Sequence, residues 1–123
     1  MPTTQASRIA LIGSPNSGKS LLFNRLTGLN QKVANFPGIT VNIASGQSLD
    51  NKAIQYLDFP GVYSLQAISG EEKVAVEAFT SALQDNLLDA VVCVVDITRL
   101  EKGLIFALQV LETCHRHSIP VLI

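Results

Sequence analysis

Ile9-Ala10-Leu11-Ile12-Gly13-Ser14-Pro15-Asn16-Ser17-Gly18-Lys19-Ser20 is the stretch that decides the fold. An apolar strand runs into a glycine-rich loop that closes on Lys-Ser at the mouth of a helix, the pattern that cradles nucleotide phosphates. Gly13 and Gly18 are expected to adopt backbone conformations closed to residues with a Cβ, so that successive N–H groups point at one anion. Lys19 supplies a positive charge able to reach the β- and γ-phosphates, and the Ser20 hydroxyl is placed to ligate Mg²⁺. A helix beginning near Lys19 aims its positive dipole end at the same phosphates. Leu21-Leu22-Phe23-Asn24-Arg25-Leu26 continues it as an amphipathic segment. A plain Gly/Ser/Pro turn would not need Gly-Lys-Ser at that mouth. The predicted nucleotide contacts are therefore Gly13, Ser14, Pro15, Asn16, Ser17, Gly18, Lys19, Ser20 and Leu21.

A second constellation lies downstream. Asp58-Phe59-Pro60-Gly61 follows the strand Ile54-Gln55-Tyr56-Leu57 and sits at its C-terminal end, where open α/β sheets bind ligands. Asp58 is placed to hold Mg²⁺ through a water, and the Gly61 N–H to meet a γ-phosphate oxygen; Phe59 and Pro60 complete this second nucleotide segment. Between the two motifs stands Asn35-Phe36-Pro37-Gly38-Ile39-Thr40-Val41. Thr40 alone reads as an ordinary strand-entry threonine. In order with the other two motifs, it reads as a Mg²⁺ ligand that engages only while the γ-phosphate is present.

The remaining chain alternates strand and helix with no repeat and no low-complexity segment. Val41 to Leu49 reads as a strand, Asp50-Asn51-Lys52 as a turn and Ala53 to Leu57 as the hairpin partner. Glu71 to Leu83 has helical periodicity, with Val74, Val76, Ala78, Phe79 and Leu83 on its apolar side. Ala90 to Val95 is expected to be a fully buried strand ending at Asp96. Leu104, Ile105, Leu108 and Leu111 form an apolar stripe on a further helix, and Ile119 to Ile123 opens another strand. A final strand without a covering helix leaves a sheet face or edge bare, so the 123 residues read as one domain at most, cut in mid-fold.

Composition fits a doubly covered α/β sheet: 47% hydrophobic and 15% charged residues imply a well-filled core. A formal net charge of −1 argues against a nucleic-acid surface. No apolar run reaches the roughly 20 residues that span a bilayer, and Pro2-Thr3-Thr4-Gln5 is no signal peptide, so the segment itself is expected to be soluble and cytosolic. Cys93, inside an apolar run, reads as a small buried hydrophobe. Cys114, His115 and His117 form at most a two-ligand partial metal site, because only positions 114 and 117 share a helical face; a solvated helix end is the simpler expectation.

The motifs together are narrower than any one of them. The phosphate loop with Leu21-Leu22-Phe23-Asn24, the Leu26-Thr27-Gly28 that follows, Asn35-Phe36-Pro37-Gly38-Ile39-Thr40-Val41, Asp58-Phe59-Pro60-Gly61-Val62-Tyr63-Ser64-Leu65 and Val94-Val95-Asp96 resemble the N-terminal GTPase domain of the ferrous iron transport protein B (FeoB) family. The resemblance runs from about Arg8 to the end of the chain. It implies a P-loop NTPase (Ras-like GTPase) fold with a mostly parallel sheet and helices on both faces. It also implies GTP binding and hydrolysis at the cytoplasmic face of the bacterial inner membrane, in the head of a transporter that imports Fe²⁺. Implied partners are GTP/GDP, a helical regulatory domain, a membrane domain and small accessory iron-transport proteins.

Residue by residue, Lys19, Ser20, Thr40, Asp58 and Gly61 match the family's phosphate and Mg²⁺ positions. Asn16 matches the loop asparagine that ligates K⁺ in potassium-activated members of this GTPase class. By that match Asn16, Lys19, Thr40 and Gly61 are the implied catalytic residues, with Ser20, Thr40 and Asp58 on Mg²⁺ and Asn16 on K⁺. Val62 departs from the Ras-like pattern, in which a glutamine there orients the attacking water. The guanine-reading Asn-Lys/Met-x-Asp motif is expected beyond Ile123, so guanine specificity rests on the resemblance. Three alternatives stay open at this level: a soluble potassium-activated translation or tRNA-modification GTPase, a P-loop small-molecule kinase, and a nucleotide-free interaction fragment. The Tyr63-Ser64-Leu65 continuation disfavours the first, and the scatter of Arg25, Arg99 and Arg116 disfavours the second.

Overall fold

β1 (Ser7–Gly13) forms the middle of the sheet because its alternate side chains have apolar partners on both faces. The computed structural model describes residues 7–34, 41–67 and 70–123. Around β1 lie α1 (Lys19–Thr27), β2 (Lys32–Ala34), β3 (Ile43–Gln47), β4 (Ile54–Asp58), α2 (Gly70–Gln84), β5 (Ala90–Val94), α3 (Leu100–Arg116) and β6 (Val121–Leu122). The sheet order is β2-β3-β4-β1-β5-β6. β1 pairs in parallel with β4 and β5, and β5 with β6, while β2–β3 and β3–β4 are antiparallel. The expected mostly parallel sheet is present, with an antiparallel flank.

That flank follows from the turn chemistry between β3 and β4. The Ser48 hydroxyl accepts the Asp50 and Asn51 N–H groups at 3.2 and 3.3 Å, and Asn51 Oδ1 accepts the Ala53 N–H at 2.9 Å. These local bonds compete with strand pairing and reverse the chain. β3 is shorter than the expected 41–49 strand: it begins at Ile43, and beyond Gln47 the Ser48 hydroxyl serves the turn while the Leu49 N–H goes to the Leu26 carbonyl of α1. β2 was not foreseen. Its three residues, Lys-Val-Ala, are too few to show a period, and it exists by pairing with β3.

Helices cover both faces. Ala10 and Ile12 of β1 join Leu57, Val91 and Cys93 in a core packed under α2 and α3, where Phe79, Leu83, Phe106 and Val110 are buried. Leu11 points the other way by strand alternation and is buried on the side of α1, as is Phe23. Burying a side chain such as Phe79 contributes about 2–3 kcal/mol. Its ring meets Phe59 edge-on, with centroids 5.6 Å apart. Gly28, at φ 65°, ends α1 and returns its N–H to the Asn24 carbonyl.

Three sequence expectations are corrected here. β5 is not buried throughout: Val91 and Cys93 are buried, while Ala90, Val92 and Val94 are half-buried, since the α1 side covers the sheet less fully than the α2–α3 side. On α2, Val74 is exposed, and the buried stripe is Ala75, Val76, Ala78, Phe79, Ala82 and Leu83. On α3 the reversal is larger. Leu104, Ile105, Leu108 and Leu111 are 45, 56, 64 and 37% exposed, and the helix turns Phe106, Ala107, Val110 and Cys114 into the core. Both sets are helically spaced and apolar, so periodicity alone does not choose between them.

Candidate functional site

The loop between β1 and α1 is shaped by two different constraints. Gly18 has φ 94° and Asn16 φ 64°, so the chain enters the left-handed region twice within three residues. Gly13 does not, contrary to expectation; its glycine is demanded by packing, since a Cβ there would stand 2.7 Å from the Val94 carbonyl oxygen of β5. A turn closes from the Ser17 N–H to the Ser14 carbonyl at 3.3 Å. Ser17 Oγ is buried with no hydrogen-bond partner among the described residues.

The downstream segment lies directly on this loop. The β1–β4 register sets Asp58 beside Leu11. The Phe59 N–H then reaches the Leu11 carbonyl at 3.2 Å and the Val62 N–H the Gly13 carbonyl at 3.0 Å, extending the strand contact past β4. A Cβ on Gly61 would fall 2.8 Å from the Pro15 nitrogen, so only glycine permits this approach. Phe59 and Val62 are buried. Phe59 thus serves as a core anchor for the segment, its side chain directed away from the loop.

Lys19 sits in the first turn of α1, buried, and its ammonium forms an ion pair with Asp58 Oδ1. The Ser20 hydroxyl donates to Asp58 Oδ2 at 3.3 Å. A cavity of about 350 Å³ opens beside this cluster, lined by Ser14, Pro15, Asn16, Gly18, Lys19, Ser20, Leu21 and Gly61. Among the described residues, Gly61 is its one wall from outside the loop and helix. A hollow of about 660 Å³ elsewhere, lined by residues such as Thr27, Lys32, Gly46 and Lys52, contains none of the loop.

The fold therefore brings together Gly13 to Leu21 with Asp58 and Gly61, from segments about forty residues apart. Thr40 and the stretch 35–40 lie outside the described residues. No group of three His, Cys, Asp or Glu side chains able to hold a metal exists among the described residues. Cys114 itself is buried in the core, while His115 and Arg116 are exposed in the last turn of α3; His117 caps the helix, its N–H reaching the Cys114 carbonyl at 3.0 Å. Burial pushes the Cys93 and Cys114 thiols up to about 11, with Cys114 adding to the shift at Cys93. Asp96 is held below the usual carboxylate range by the Thr98 hydroxyl and N–H, which it accepts at 2.7 and 2.9 Å.

One residue of this neighbourhood carried no sequence signal. Gln109, a polar residue in the middle of α3, accepts the Leu65 N–H at 2.8 Å and the Ser64 hydroxyl at 3.2 Å. A single glutamine in an amphipathic helix has no motif around it, and its partner lies 44 residues away.

The family model for ferrous iron transport protein B matches residues 7–122. The chain belongs to the FeoB family. It is 42% identical over 105 residues to the Fe(2+) transporter FeoB of Leptospira biflexa, covering 85% of this chain and 15% of that protein. With the Campylobacter jejuni Fe(2+) transporter FeoB it shares 43% over 106 residues, covering 85% and 17%. The chain thus spans about a sixth of these curated relatives. Among solved structures, a mutant of S. thermophilus NFeoB bound to mGDP superposes with TM-score 0.75 at 45% identity, covering 89% of this chain and 40% of that one. The G domain of the T. maritima FeoB iron transporter superposes with TM-score 0.74 at 38% identity, covering 96% and 70%. The architecture is the P-loop GTPase fold of FeoB G domains. Among the described residues no helix is long and apolar enough to cross a membrane.

Proposed function

We propose that this chain binds GTP and GDP and serves as the GTP-hydrolysing head of a ferrous iron transporter, regulating Fe²⁺ uptake from the cytoplasmic face of the inner membrane. The observation that carries this reading is the cavity of about 350 Å³ walled by the Gly13–Leu21 loop on one side and Gly61 on the other. Its dimensions and cationic floor suit a polyphosphate, and α1 points its N-terminus into it. Solved relatives bound to mGDP and to GMPPNP support the same ligand class. On this reading the 123 residues are part of a G domain whose base-reading motif lies beyond them. The rest of the transporter, with its helical and membrane domains and small accessory proteins, is the partner.

The residues divide the work. Loop N–H groups and the helix terminus take the α- and β-phosphates, and Lys19 leaves Asp58 to neutralise the β- and γ-phosphate oxygens. Ser20 Oγ is a hard oxygen donor that fits Mg²⁺, Asp58, whose Oδ2 lies 3.3 Å away, would hold the ion through a water, and Thr40 would add a ligand in the triphosphate state. Mg²⁺, when bound, neutralises charge developing on the bridging phosphate oxygens. Gly61 offers its N–H on the γ-phosphate side. Val62 is buried and apolar, so backbone groups or another residue must orient the attacking water. Asn16 lines the cavity in a left-handed conformation, with its amide oxygen as the candidate K⁺ ligand, offsetting charge that other GTPases meet with an arginine.

Calorimetric titration of the protein with GTP, GDP and ATP, followed by turnover in matched K⁺ and Na⁺ buffers, tests the reading. Guanine-nucleotide binding that is lost in Lys19→Ala is the expected result. Faster turnover in K⁺, with the difference removed by Asn16→Ala, is expected for the cation site. Equal rates in both buffers would leave Asn16 a loop-forming residue only.

A further inference from the structure

The segment after Asp58 is held at three points, one on β1, one on α2 and one on α3. At its start, the Phe59 and Val62 N–H groups bond to the Leu11 and Gly13 carbonyls of β1 at 3.2 and 3.0 Å. Phe59 anchors it beneath against Phe79 of α2. Its far end packs Leu65 and Ala67 against the core and is hydrogen-bonded to α3 through one atom. Gln109 Oε1 of α3 accepts both the Leu65 N–H at 2.8 Å and the Ser64 hydroxyl at 3.2 Å. The Ser64 hydroxyl in turn accepts the Gln66 N–H at 3.0 Å, so the turn 64–66 is closed onto the same point.

Gly61 lies between the two β1 bonds, and Tyr63 between Val62 and the Gln109 contact. Gly61 approaches Pro15 so closely that a Cβ would stand 2.8 Å from its nitrogen. At that close approach a displacement of a few tenths of an ångström matters, and the chain direction after the last β1 bond, at Val62, is set by what the residues beyond it contact. A carboxamide oxygen accepting two donors from consecutive residues fixes both position and direction. No other side-chain hydrogen bond is recorded between residues 61–67 and α3 among the described residues. Beside it a cleft of about 320 Å³ is lined by Tyr63, Ser64, Val94, Phe106 and Gln109 among others.

We propose that Gln109 is a positioning residue for triphosphate recognition: by clamping Ser64 and Leu65 to α3 it holds Gly61 in register over the phosphate loop. The inference rests on the GTP-binding reading of the cavity. It separates the two nucleotide states, because Gly13 to Leu21 suffice for a diphosphate whereas Gly61 is the wall that an additional phosphoryl group meets. It also makes α3 the element that responds when Gly61 moves, since Gln109 is bonded to the segment and its own helix is rooted in the core through Phe106 and Val110.

Gln109→Leu removes the acceptor with little change of volume, and Gln109→Glu keeps an oxygen that accepts both donors. Three readouts are taken on the full chain: hydrogen exchange of the Leu65 amide, affinity for GDP, and affinity for GMPPNP. For Gln109→Leu the expectation is faster exchange at Leu65, GDP affinity within about twofold of the parent, and GMPPNP affinity lower by about fivefold to tenfold, as for one or two lost hydrogen bonds. Gln109→Glu should restore most of the GMPPNP affinity. Equal losses for GDP and GMPPNP, or accelerated Leu65 exchange with an unchanged GDP-to-GMPPNP ratio, would overturn the proposal and leave Gln109 a purely structural contact. Absence of binding of either nucleotide to the parent chain would instead overturn the GTP reading itself. Should Gln109→Leu melt out, Ser64→Ala removes one of the two bonds and is expected to shift the ratio in the same direction by about twofold; no shift there would equally refute the clamp.

Discussion

The phosphate loop and α3 are both rich in recognisable pattern, yet only one of them meant what its pattern said. In the loop, each residue is tied to a local demand: a positive φ at Gly18, a close approach at Gly13 and Gly61, a charge at Lys19 opposite Asp58. In α3, two apolar stripes compete for the core. Phe106, Ala107, Val110 and Cys114 win it, while Leu104, Ile105, Leu108 and Leu111 face outward. A motif whose chemistry needs particular atoms at particular spacing leaves few alternatives. A hydrophobic stripe states only that some face is to be covered, and the rest of the fold decides which.

The sharpest way to break this comparison is in α3. Phe106→Ala should cost about 3–5 kcal/mol of stability, read from urea denaturation, because it removes a buried aromatic ring from the core. A loss under about 1 kcal/mol would mean that the buried face has been assigned to the wrong stripe. In the loop, Lys19→Ala should lower GDP affinity by about a hundredfold or more, measured calorimetrically, since a charge-assisted phosphate contact is removed and Asp58 is left facing the phosphates. Retained affinity would detach the lysine from the ligand.

A smaller effect sharpens the contrast from the other side. Leu108→Ser, at a position 64% exposed, should change stability by no more than about 0.5 kcal/mol, despite lying in the stripe that looked like core. The smallest effect concerns the thiols. Cys93 and Cys114 titrate near 11 in the fold against 9.0 for an ordinary thiol, so the folded state favours the protonated form. That contribution is fully present below pH 9.0 and is lost as the pH rises toward 11. Urea midpoints should therefore fall between those values, and Cys93→Ala with Cys114→Ala should flatten the fall. Thiol reagents should label neither cysteine in the native protein at neutral pH.

Legibility followed the range of the interaction. Gly13 to Ser20 was readable because a strand, a tight loop and a helix mouth are contiguous, and Asp58 to Gly61 because the end of a parallel strand is where such sheets bind ligands. The role of Phe59 was not: its place beside the loop motif pointed to the nucleotide, but its ring fills the core against Phe79. Gly13 was read correctly as obligatory but for the wrong reason, since the obstacle is the Val94 carbonyl of a strand some eighty residues on. Gln109 could not be found at all from spacing, because a helix periodicity carries no information about which polar residue meets a loop 44 residues earlier.

What the amino-acid sequence determined by itself was the phosphate-loop grammar, the alternation of strands and helices, and membership of the FeoB family, because these depend on contiguous residues with few conformational choices. Tertiary structure alone decided which stripe of α3 is buried, that Lys-Val-Ala at 32–34 becomes an edge strand, and that Gln109 reaches Ser64 and Leu65. The physical reason is the same in each case. Burial and long-range hydrogen bonds are settled by competition among all elements for one core, and no single segment encodes the outcome.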